Sequence, residues 1–399
     1  MIKILSAYTY ELDNPEKAVQ EILDQINIQN GLLKNTVALL FCHVKFIEMG
    51  VMEKVCKSLP FDVLGCTSMY FAMSASADTS ASAGTSAPAA GEFVLTVTVL
   101  TSDVTEFATG VCETLTAENA EDCINALYKK TAASLGGEPS LIFAFPPTMF
   151  EVTVDFMTTA LDHASGGLPV FGSVALDIGA HIRSPKTIYQ GAAYGDRMTL
   201  LLFKGPVKPH FFSLLFPGKA SLGQNAVITS ARGPEIISIN NTPAASFLHE
   251  IGFLRENNTA FSQAIPLVIE GRNGDKEVVV VQNITSAGTF ICGKHIPKGS
   301  ILNIGAITAE NILESAKTLI RTIKESGGGS WLFIISCFSR TVVLGEGATA
   351  EVEMIQRELG DFPGAYLYFN SGGELCPKYM KSGETVNQAL QYAIIACQF

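Results

Sequence analysis

Continuous apolar segments alternate with amphipathic helical patterns along this chain. Three times, an apolar strand is followed by a helical pattern and by a second strand that ends near glycine and a small polar residue. Such strands with helical crossovers are typical of parallel pairs buried on both faces. Right-handed crossovers bring the glycine-containing ends to the same edge of their sheets, where ligands usually bind. The three units are 38–67, 141–173 and 331–373.

A strand-rich region separates the second unit from the third. Glycine and proline pairs such as Gly205-Pro206 interrupt its apolar runs, which is typical of short strands joined by turns. Helices are predicted from Pro243, with Thr242 as the N-cap, and over 309–326, with Thr308 as the N-cap. The pattern therefore predicts an α/β fold with mixed sheets, parallel strand–helix–strand units, flanking helices and a strand-rich middle region.

The length of 399 residues exceeds what one ordinary core accommodates, so two domains are predicted, 1–224 and 225–399. A Ser/Ala-rich segment, 74–91, contains no large apolar residue and is predicted to be a flexible loop. The hydrophobic fraction of 47% and the mean hydropathy of +0.28 fit strands buried on both faces. The longest apolar run, 331–338, is far shorter than the roughly 20 residues of a membrane-spanning helix.

Charge and cysteine usage exclude several classes of function. The net charge is −11 and no cluster of Lys and Arg occurs, which argues against a nucleic-acid surface. The nine cysteines form no Cys-x-x-Cys pair, and the N-terminus reads as a strand, so we expect free thiols in the cytoplasm and no metal site. Segment 288–295 resembles a phosphate-binding loop but has His295 where Ser or Thr is required, and no cofactor is predicted.

The last third of the chain gathers mixed polar groups near the ends of two apolar strands. A thiol, a guanidinium, a carboxylate and two amides occur there, in Cys337, Arg340, Glu374, Asn370 and Asn387. A zwitterionic amino acid could place its carboxylate on the guanidinium and its ammonium on the carboxylate. Alternatively, Arg340 and Glu374 form a buried salt bridge, and the two asparagines cap strand ends. Cys337 is either a buried structural thiol or a nucleophile activated by the nearby cation.

The order of these residues resembles the C-terminal half of FIST domains, sensory modules of intracellular signal transduction. The resemblance rests on three features, which are the Cys337-x-x-Arg340 strand end, the Gly373-Glu374-x-x-Pro377 turn and a final helix containing Asn387-Gln388. The N-terminal half is similar at segments 65–68 and 171–177, and the junction between the halves is similar at 227–233 followed by 241–244. In segment 171–177, Ser173 replaces a glycine of the family pattern.

The resemblance implies a stand-alone sensor that binds small ligands, with amino acids or related small carboxylates as the expected class and a signalling protein as a further partner. It implies no established catalysis. A homodimer is the base-rate expectation, and neither nucleic acid nor a membrane is expected as a partner. The predicted ligand-binding residues are Gly65, Thr67, Gly172, Ser173, Asp177, Cys337, Arg340, Asn370, Gly373, Glu374 and Asn387.

Two other hypotheses remain open from the sequence. The first is a thiol-dependent acyl transferase or hydrolase that uses Cys337, although no histidine follows His295 to act as its base. The second is a protein-interaction scaffold in which the glycine turns are only structural.

Overall fold

The computed structural model describes residues 2–73, 93–177, 185–215, 223–254, 265–270, 276–327, 329–360, 362–380 and 384–399. The predicted loop at 74–91 lies outside the described residues. Within these ranges, the chain forms four sheets with helices packed against them, which confirms the α/β fold class. None of the helices in the described ranges has the length and apolarity needed to cross a membrane.

The first sheet contains the first predicted unit, whose strands β2 (Asn35–Cys42) and β3 (Asp62–Thr67) pair in parallel. Helices α1 (Pro15–Ile26), α2 (Ile28–Gly31), α3 (Lys45–Glu48) and α4 (Val51–Ser58) accompany it, and α1 buries Ala18, Ile22 and Ile26 on one face. The strand order is β1 (Lys3–Thr9), β5 (Leu95–Ser102), β2 (Asn35–Cys42), β3 (Asp62–Thr67), β9 (Thr187–Tyr189) and β10 (Ala192–Tyr194).

The second sheet contains the second unit, in which β7 (Leu141–Phe145) and β8 (Val170–Ser173) pair in parallel. Helices α5 (Ala120–Ala133) and α6 (Val154–Ser165) cover one of its faces with apolar side chains. The strand order is β23 (Thr385–Leu390), β22 (Glu374–Tyr379), β8 (Val170–Ser173), β7 (Leu141–Phe145), β11 (Thr199–Lys204) and β6 (Glu106–Val111).

The third sheet contains the third unit, in which β20 (Trp331–Cys337) and β21 (Ala365–Ser371) pair in parallel. Helices α8 (Ala309–Glu325) and α10 (Ala350–Glu358) pack against it, while α9 (Phe338–Leu344) follows β20 directly. Thr308 caps α8 as predicted, because its side chain accepts the Asn311 amide proton. The strand order is β12 (His210–Leu214), β24 (Ile394–Gln398), β20 (Trp331–Cys337), β21 (Ala365–Ser371) and β4 (Met69–Met73).

The three sheets turn their inner faces toward one shared aromatic core. Phe41 of the first sheet lies with its ring centroid 5.5 Å from those of Phe145 of the second sheet and Phe333 of the third. All three rings are fully buried. The helices cover the opposite faces, so each unit is buried on both sides, and this explains why its strands are apolar without alternation.

The strand-rich middle region forms an antiparallel barrel with a core of its own. Its six strands close because β13 (Ala226–Arg232) and β14 (Glu235–Ile239) also pair, while the short β15 (Thr242–Pro243) pairs with β14. Helix α7 (Ala244–Glu250) contacts β14. The strand order around the barrel is β13 (Ala226–Arg232), β19 (Ile301–Ile304), β16 (Pro266–Glu270), β17 (Lys276–Ile284), β18 (Phe290–Cys292) and β14 (Glu235–Ile239).

Three details differ from the sequence expectations. Thr242 lies in a strand, so Pro243 occupies the position before α7. The final helix implied by the resemblance is wrong, because Asn387 lies in β23, which pairs with β22 in a hairpin. Strands from both sides of residue 225 share the second and third sheets, and the domain division there stays a prediction.

The second strands of the three units converge at their carboxyl ends. Gly65 permits the close pairing of β3 with β2, because a Cβ there would lie 1.9 Å from the Leu40 carbonyl oxygen. Gly172 does the same for β8 and β7, where a Cβ would lie 1.9 Å from the Ala144 carbonyl oxygen. The residues that follow them meet the end of β21. Cys66 Sγ lies 4.0 Å from Ser173 Oγ, which donates to Ser371 Oγ at 3.0 Å. The carboxyl ends of β3, β8 and β21, which belong to three separate sheets, therefore meet at one point.

Candidate functional site

A cavity of about 290 Å³ opens beside these joined strand ends. This volume lies at the lower end of the range of small-molecule sites, roughly 300–1,000 Å³. Segments following β7, β8, β20 and β21 form its walls, and β17 of the barrel forms another. The cavity is hereafter called the central pocket, and it is lined by Thr148, Phe150, Ala175, Leu176, Asp177, Pro185, Val280, Gln282, Cys337, Phe338, Ser339, Ser371, Gly372 and Gln391.

The polar part of the central pocket is held in place by hydrogen bonds to the backbone. The Thr148 hydroxyl donates to the Ala175 carbonyl at 2.5 Å. Ser371 Oγ accepts the Gly373 amide proton at 3.1 Å, and Gln391 Oε1 accepts that of Val280 at 2.7 Å. The bond from Val280 also ties the barrel to the turn before β24. The pocket is therefore built jointly by the sheets and the barrel.

Cys337 is the last residue of β20, and its side chain lines the central pocket although it is only 2% exposed. Its amide donates to the Ala393 carbonyl at 2.9 Å. Burial, with a further contribution from the charge of Glu374, raises the pKa of the Cys337 thiol well above its ordinary value. The thiol is therefore protonated near neutral pH, which does not favour an activated nucleophile.

Glu374 lies behind Cys337 at the start of β22, opposite Ser173, and is fully buried. Neither carboxyl oxygen makes a well-formed hydrogen bond within the described residues, and the Cys337 thiol and the Ala393 amide are its polar neighbours. Burial raises the pKa of Glu374 well above its ordinary value, while the charge of Arg340 partly opposes this rise. Burial therefore favours the protonated, neutral form of this side chain.

Arg340 is fully buried and pairs with Glu351 rather than with Glu374. Its Nε donates to Glu351 Oε1 at 3.1 Å, and its NH2 group donates to Ser315 Oγ at 2.9 Å. The Ser336 hydroxyl also donates to Glu351, at 2.7 Å. Arg340 does not line the central pocket, so the predicted clamp of guanidinium and carboxylate around a zwitterion is not assembled.

Sequence reasoning missed Glu351, although its position carried a signal. Glu351 precedes Ile355 by four residues on α10, and both lie on the buried face of that helix. A carboxylate on an apolar helical face requires a partner, because burial of an unpaired charge is costly. That reasoning would have directed the search for the partner of Arg340 toward α10.

The two predicted asparagines lie in different places. The Asn370 amide donates to the Ser336 carbonyl at 3.3 Å and its backbone carbonyl accepts the Ser68 hydroxyl proton, deep between strands. Asn387 accepts the Val170 amide proton at 2.8 Å and donates to Asp162 at 2.6 Å. Both arrangements correspond to the alternative in which these amides cap strand ends by hydrogen bonds to the backbone.

Among the predicted N-terminal residues, Asp177 lines the central pocket. Thr67 instead accepts the Lys186 amide proton through its hydroxyl at 2.9 Å, and Ser173 is not among the lining residues but donates to one of them, Ser371. Gly65 and Gly172 serve the close strand pairing described above, and Gly373 packs against Val174. The structure therefore brings Asp177 and Cys337 together, with Glu374 directly behind them.

Several lining residues were not predicted. Ser371 and Gly372 belong to the same turn as Gly373, so extending the motif by two residues would have found them. Gln282 comes from the barrel and Gln391 from the turn before β24, and neither belongs to a recognisable motif. No group of three or more His, Cys, Asp or Glu side chains with metal-binding geometry occurs among the described residues.

Comparisons with known proteins address the family. The sequence model of the FIST N domain matches residues 36–242, and that of the FIST C domain matches residues 244–377. No curated protein matches the chain significantly. A crystal structure of cyanuric acid hydrolase from A. caulinodans aligns over 100% of this chain and 98% of that chain, with a TM-score of 0.38 and 7% identity. A similarity at that level supports no inference about this chain.

Proposed function

Because this chain belongs to the FIST family, whose domains are sensory modules of signal transduction, we propose that it senses a small ligand bound in the central pocket. The observation that carries this proposal is the pocket itself, a partly open cavity of about 290 Å³ at the joined ends of the strand–helix–strand units. It combines apolar walls with a few fixed polar groups, which is the usual composition of a small-molecule site.

The location of the central pocket suggests how binding would be transmitted. Val280 and Gln282 belong to the barrel, whereas Cys337 and Ser371 belong to the third sheet. A ligand that contacts both bodies stabilises the arrangement in which both contacts are made, by its difference in affinity between that arrangement and any other. A signalling protein that reads this arrangement is the partner we propose.

The proposal can be tested by filling the central pocket. Gln282 is half-buried and its side chain lines the pocket, so Gln282→Trp should occupy the ligand space without disturbing a core. Gln20→Trp, on the exposed face of α1, is the matched control. Native mass spectrometry and thermal shift with amino acids and small carboxylates would be compared for the two variants.

A ligand at 100 times its Kd should add about 2.7 kcal/mol of stability to the wild type and to Gln20→Trp. We expect Gln282→Trp to lose most of that stabilisation. Equal stabilisation of all three proteins would show that binding occurs elsewhere and would refute the role of the pocket.

The two other hypotheses have weaker support. A thiol-dependent enzyme would require a reactive Cys337, yet burial raises the pKa of this thiol and no histidine lines the central pocket within the described residues. Alkylation by iodoacetamide that is no faster than that of a free thiol would dismiss this hypothesis. A scaffold would show a stable protein partner and an unchanged melting temperature across all small molecules.

A further inference from the structure

We propose that the central pocket selects uncharged ligands that carry a carboxamide group, whose carbonyl oxygen accepts a hydrogen bond from Gln391 and whose N–H group donates to Thr148. This inference rests on the proposed ligand-binding function and specifies the chemical class of the ligand. It departs from the expectation of amino acids and small carboxylates, which depended on Arg340 reaching the ligand.

The side-chain amide of Gln391 is the first argument. This residue lines the central pocket and is only 4% exposed. Its Oε1 accepts the Val280 amide proton at 2.7 Å, and because a backbone N–H can only donate, this bond fixes which end of the side chain is the oxygen. Its Nε2 has no hydrogen-bond partner among the described residues. A buried donor without a partner is unfavourable, so a ligand acceptor that meets Nε2 gains affinity.

The barrel holds this amide in a fixed place. A Cβ at Gly293 would lie 1.8 Å from Gln391 Nε2, so the lack of a side chain at Gly293 provides the space that the amide occupies. The Gly293 amide donates to the Val280 carbonyl at 3.1 Å, and the Val280 amide in turn donates to Gln391. The Gln391 side chain is therefore positioned before a ligand binds, which reduces the entropy that binding must overcome.

The hydroxyl of Thr148 is the second argument, because it supplies the complementary group. Thr148 donates its hydroxyl proton to the Ala175 carbonyl at 2.5 Å, so its Oγ1 can only accept a hydrogen bond from a ligand. The other hydroxyl of this wall, that of Ser371, already accepts from Gly373 and from Ser173. The pocket thus offers a fixed donor and a fixed acceptor, which match the C=O and N–H groups of a carboxamide.

The charges around the pocket are the third argument. No Lys, Arg or His side chain lines it among the described residues, so a ligand carboxylate would lose its hydration without meeting a cation. The Arg340 guanidinium is paired with Glu351. Asp177 lines the pocket but already has an interaction of its own, so its charge is not left for a ligand ammonium group. A neutral amide avoids the cost of burying a charge on either side.

The remaining walls accommodate the rest of the ligand. The side chains of Leu176 and Val280 are buried, and Phe338 and the exposed Phe150 also line the pocket. An apolar group placed against them is removed from water, which is favourable. A space of about 290 Å³ therefore fits a molecule with one carboxamide end and one compact apolar end.

Six probes separate the contribution of charge from that of shape. 4-Methylpentanamide, 4-methylpentanoate and 4-methylpentylamine share one apolar body, and 3-phenylpropanamide, 3-phenylpropanoate and 3-phenylpropylamine share another. Within each set, the first probe is neutral, the second is an anion and the third is a cation. Isothermal titration calorimetry with the full chain would rank their affinities. We expect the amide to bind most tightly in at least one set, and both charged probes of that set to bind about 10-fold more weakly or less.

Gln391→Glu tests the assigned donor. Glutamate keeps an oxygen for the Val280 amide but has no donor, so affinity for the amide should fall about 10- to 100-fold, while the amine should gain affinity from the new carboxylate. Loss of stability alone would not exchange the preference between amide and amine. Gln20→Glu is the matched control, because it removes an exposed amide donor that bonds to Asp24 at 2.6 Å, away from the pocket. The melting temperatures of the unliganded variants would establish that each is folded.

Two further substitutions test the same contacts from other positions. Gly293→Ala changes no lining residue, but its Cβ would displace the Gln391 amide, and affinity for the amide should fall about 10-fold. Thr148→Val removes the acceptor and should weaken amide binding about 3- to 10-fold, which corresponds to the loss of a neutral hydrogen bond. Thr148→Ser keeps the hydroxyl and should restore the affinity.

The outcomes separate this inference from the proposed function. A charged probe that binds as tightly as the amide of its own set would overturn the inference, as would undiminished amide binding by folded Gln391→Glu. If Gln391→Glu does not fold, unchanged amide binding by both Gly293→Ala and Thr148→Val overturns it instead. Failure of both amides, together with a different ligand that Gln282→Trp excludes, would overturn the carboxamide assignment while supporting the sensor. If the amides fail and native mass spectrometry of a metabolite extract finds no bound ligand, both proposals are wrong.

Discussion

Replacing Arg340 with alanine should destabilise the folded protein strongly, because this residue organises a buried polar cluster. Its guanidinium is fully buried and pairs with Glu351, which is 1% exposed. Removal of the side chain leaves the Glu351 carboxylate inside the protein with two hydroxyl partners among the described residues, the Ser336 hydroxyl at 2.7 Å and the Tyr368 hydroxyl at 3.4 Å. Such a residual charge is not compensated by neutral donors alone.

The expected magnitude follows from the contacts that are lost. Breaking a buried ion pair by removing one partner costs about 3–5 kcal/mol. The carbonyls of Ile312 and Tyr392 and the hydroxyl of Ser315 also lose a charged donor, at about 1 kcal/mol or more each. Because these losses are not additive, we expect about 5 kcal/mol for Arg340→Ala.

A double-mutant cycle measured by urea denaturation would check this reasoning. In Arg340→Met combined with Glu351→Leu, no charge is left unpaired, so the double variant should be more stable than the sum of the single effects predicts by about 2 kcal/mol or more. Lys57→Ala is the control, because it removes an exposed ion pair with Glu53 that contributes about 0–1 kcal/mol. A loss for Arg340→Ala as small as for Lys57→Ala, or strict additivity in the cycle, would refute the argument.

Two further predictions concern the strand ends. Gly172→Ala should unfold or severely destabilise the protein, because its Cβ would lie 1.9 Å from the Ala144 carbonyl oxygen. Gly347→Ala is the control and should be tolerated, because its Cβ would meet nothing closer than 3.9 Å. Comparison of the melting temperatures of the two variants with that of the wild type tests this prediction. Glu374 has a raised pKa in the folded state, so its contribution to stability is fully present below the ordinary pKa of 4.5 and is lost as the pH rises through the folded value. Glu374→Gln should therefore gain stability relative to the wild type with increasing pH, and a pH-independent difference in melting temperature would contradict this.

The three strand–helix–strand units were readable from the sequence because their signal is local. Each first strand is a continuous apolar run, and the helix of each unit (α4, α6 or α10) buries apolar side chains on one face. Crossover handedness then places the ends of β3, β8 and β21 on predictable edges. These local rules explain why the α/β class and the parallel pairs could be predicted. The motifs that carry the family resemblance are likewise short local segments.

The arrangement of the units relative to one another was not readable. Cys66, Ser173 and Ser371 converge because three sheets pack around Phe41 and Phe333. Those two phenylalanines are in contact although they lie almost 300 positions apart in the sequence. Pairing across the chain, such as β4 with β21 and β22 with β8, also lies beyond any local pattern.

The same distinction between local sequence features and non-local packing applies to the candidate site. The sequence alone determined that Cys337, Arg340 and Glu374 lie near strand ends, because strand ends and glycine turns are local features. Only the tertiary structure decided which of these groups meet, because the sequence offers several possible partners for Arg340 and for Glu374 at comparable distances along the chain. Packing of α10 placed Glu351 against Arg340, and closure of the barrel against the sheets placed Asp177 and Cys337 on the wall of one pocket. Burial then set the protonation of Cys337 and Glu374, because the cost of a buried charge depends on surroundings that non-local contacts create.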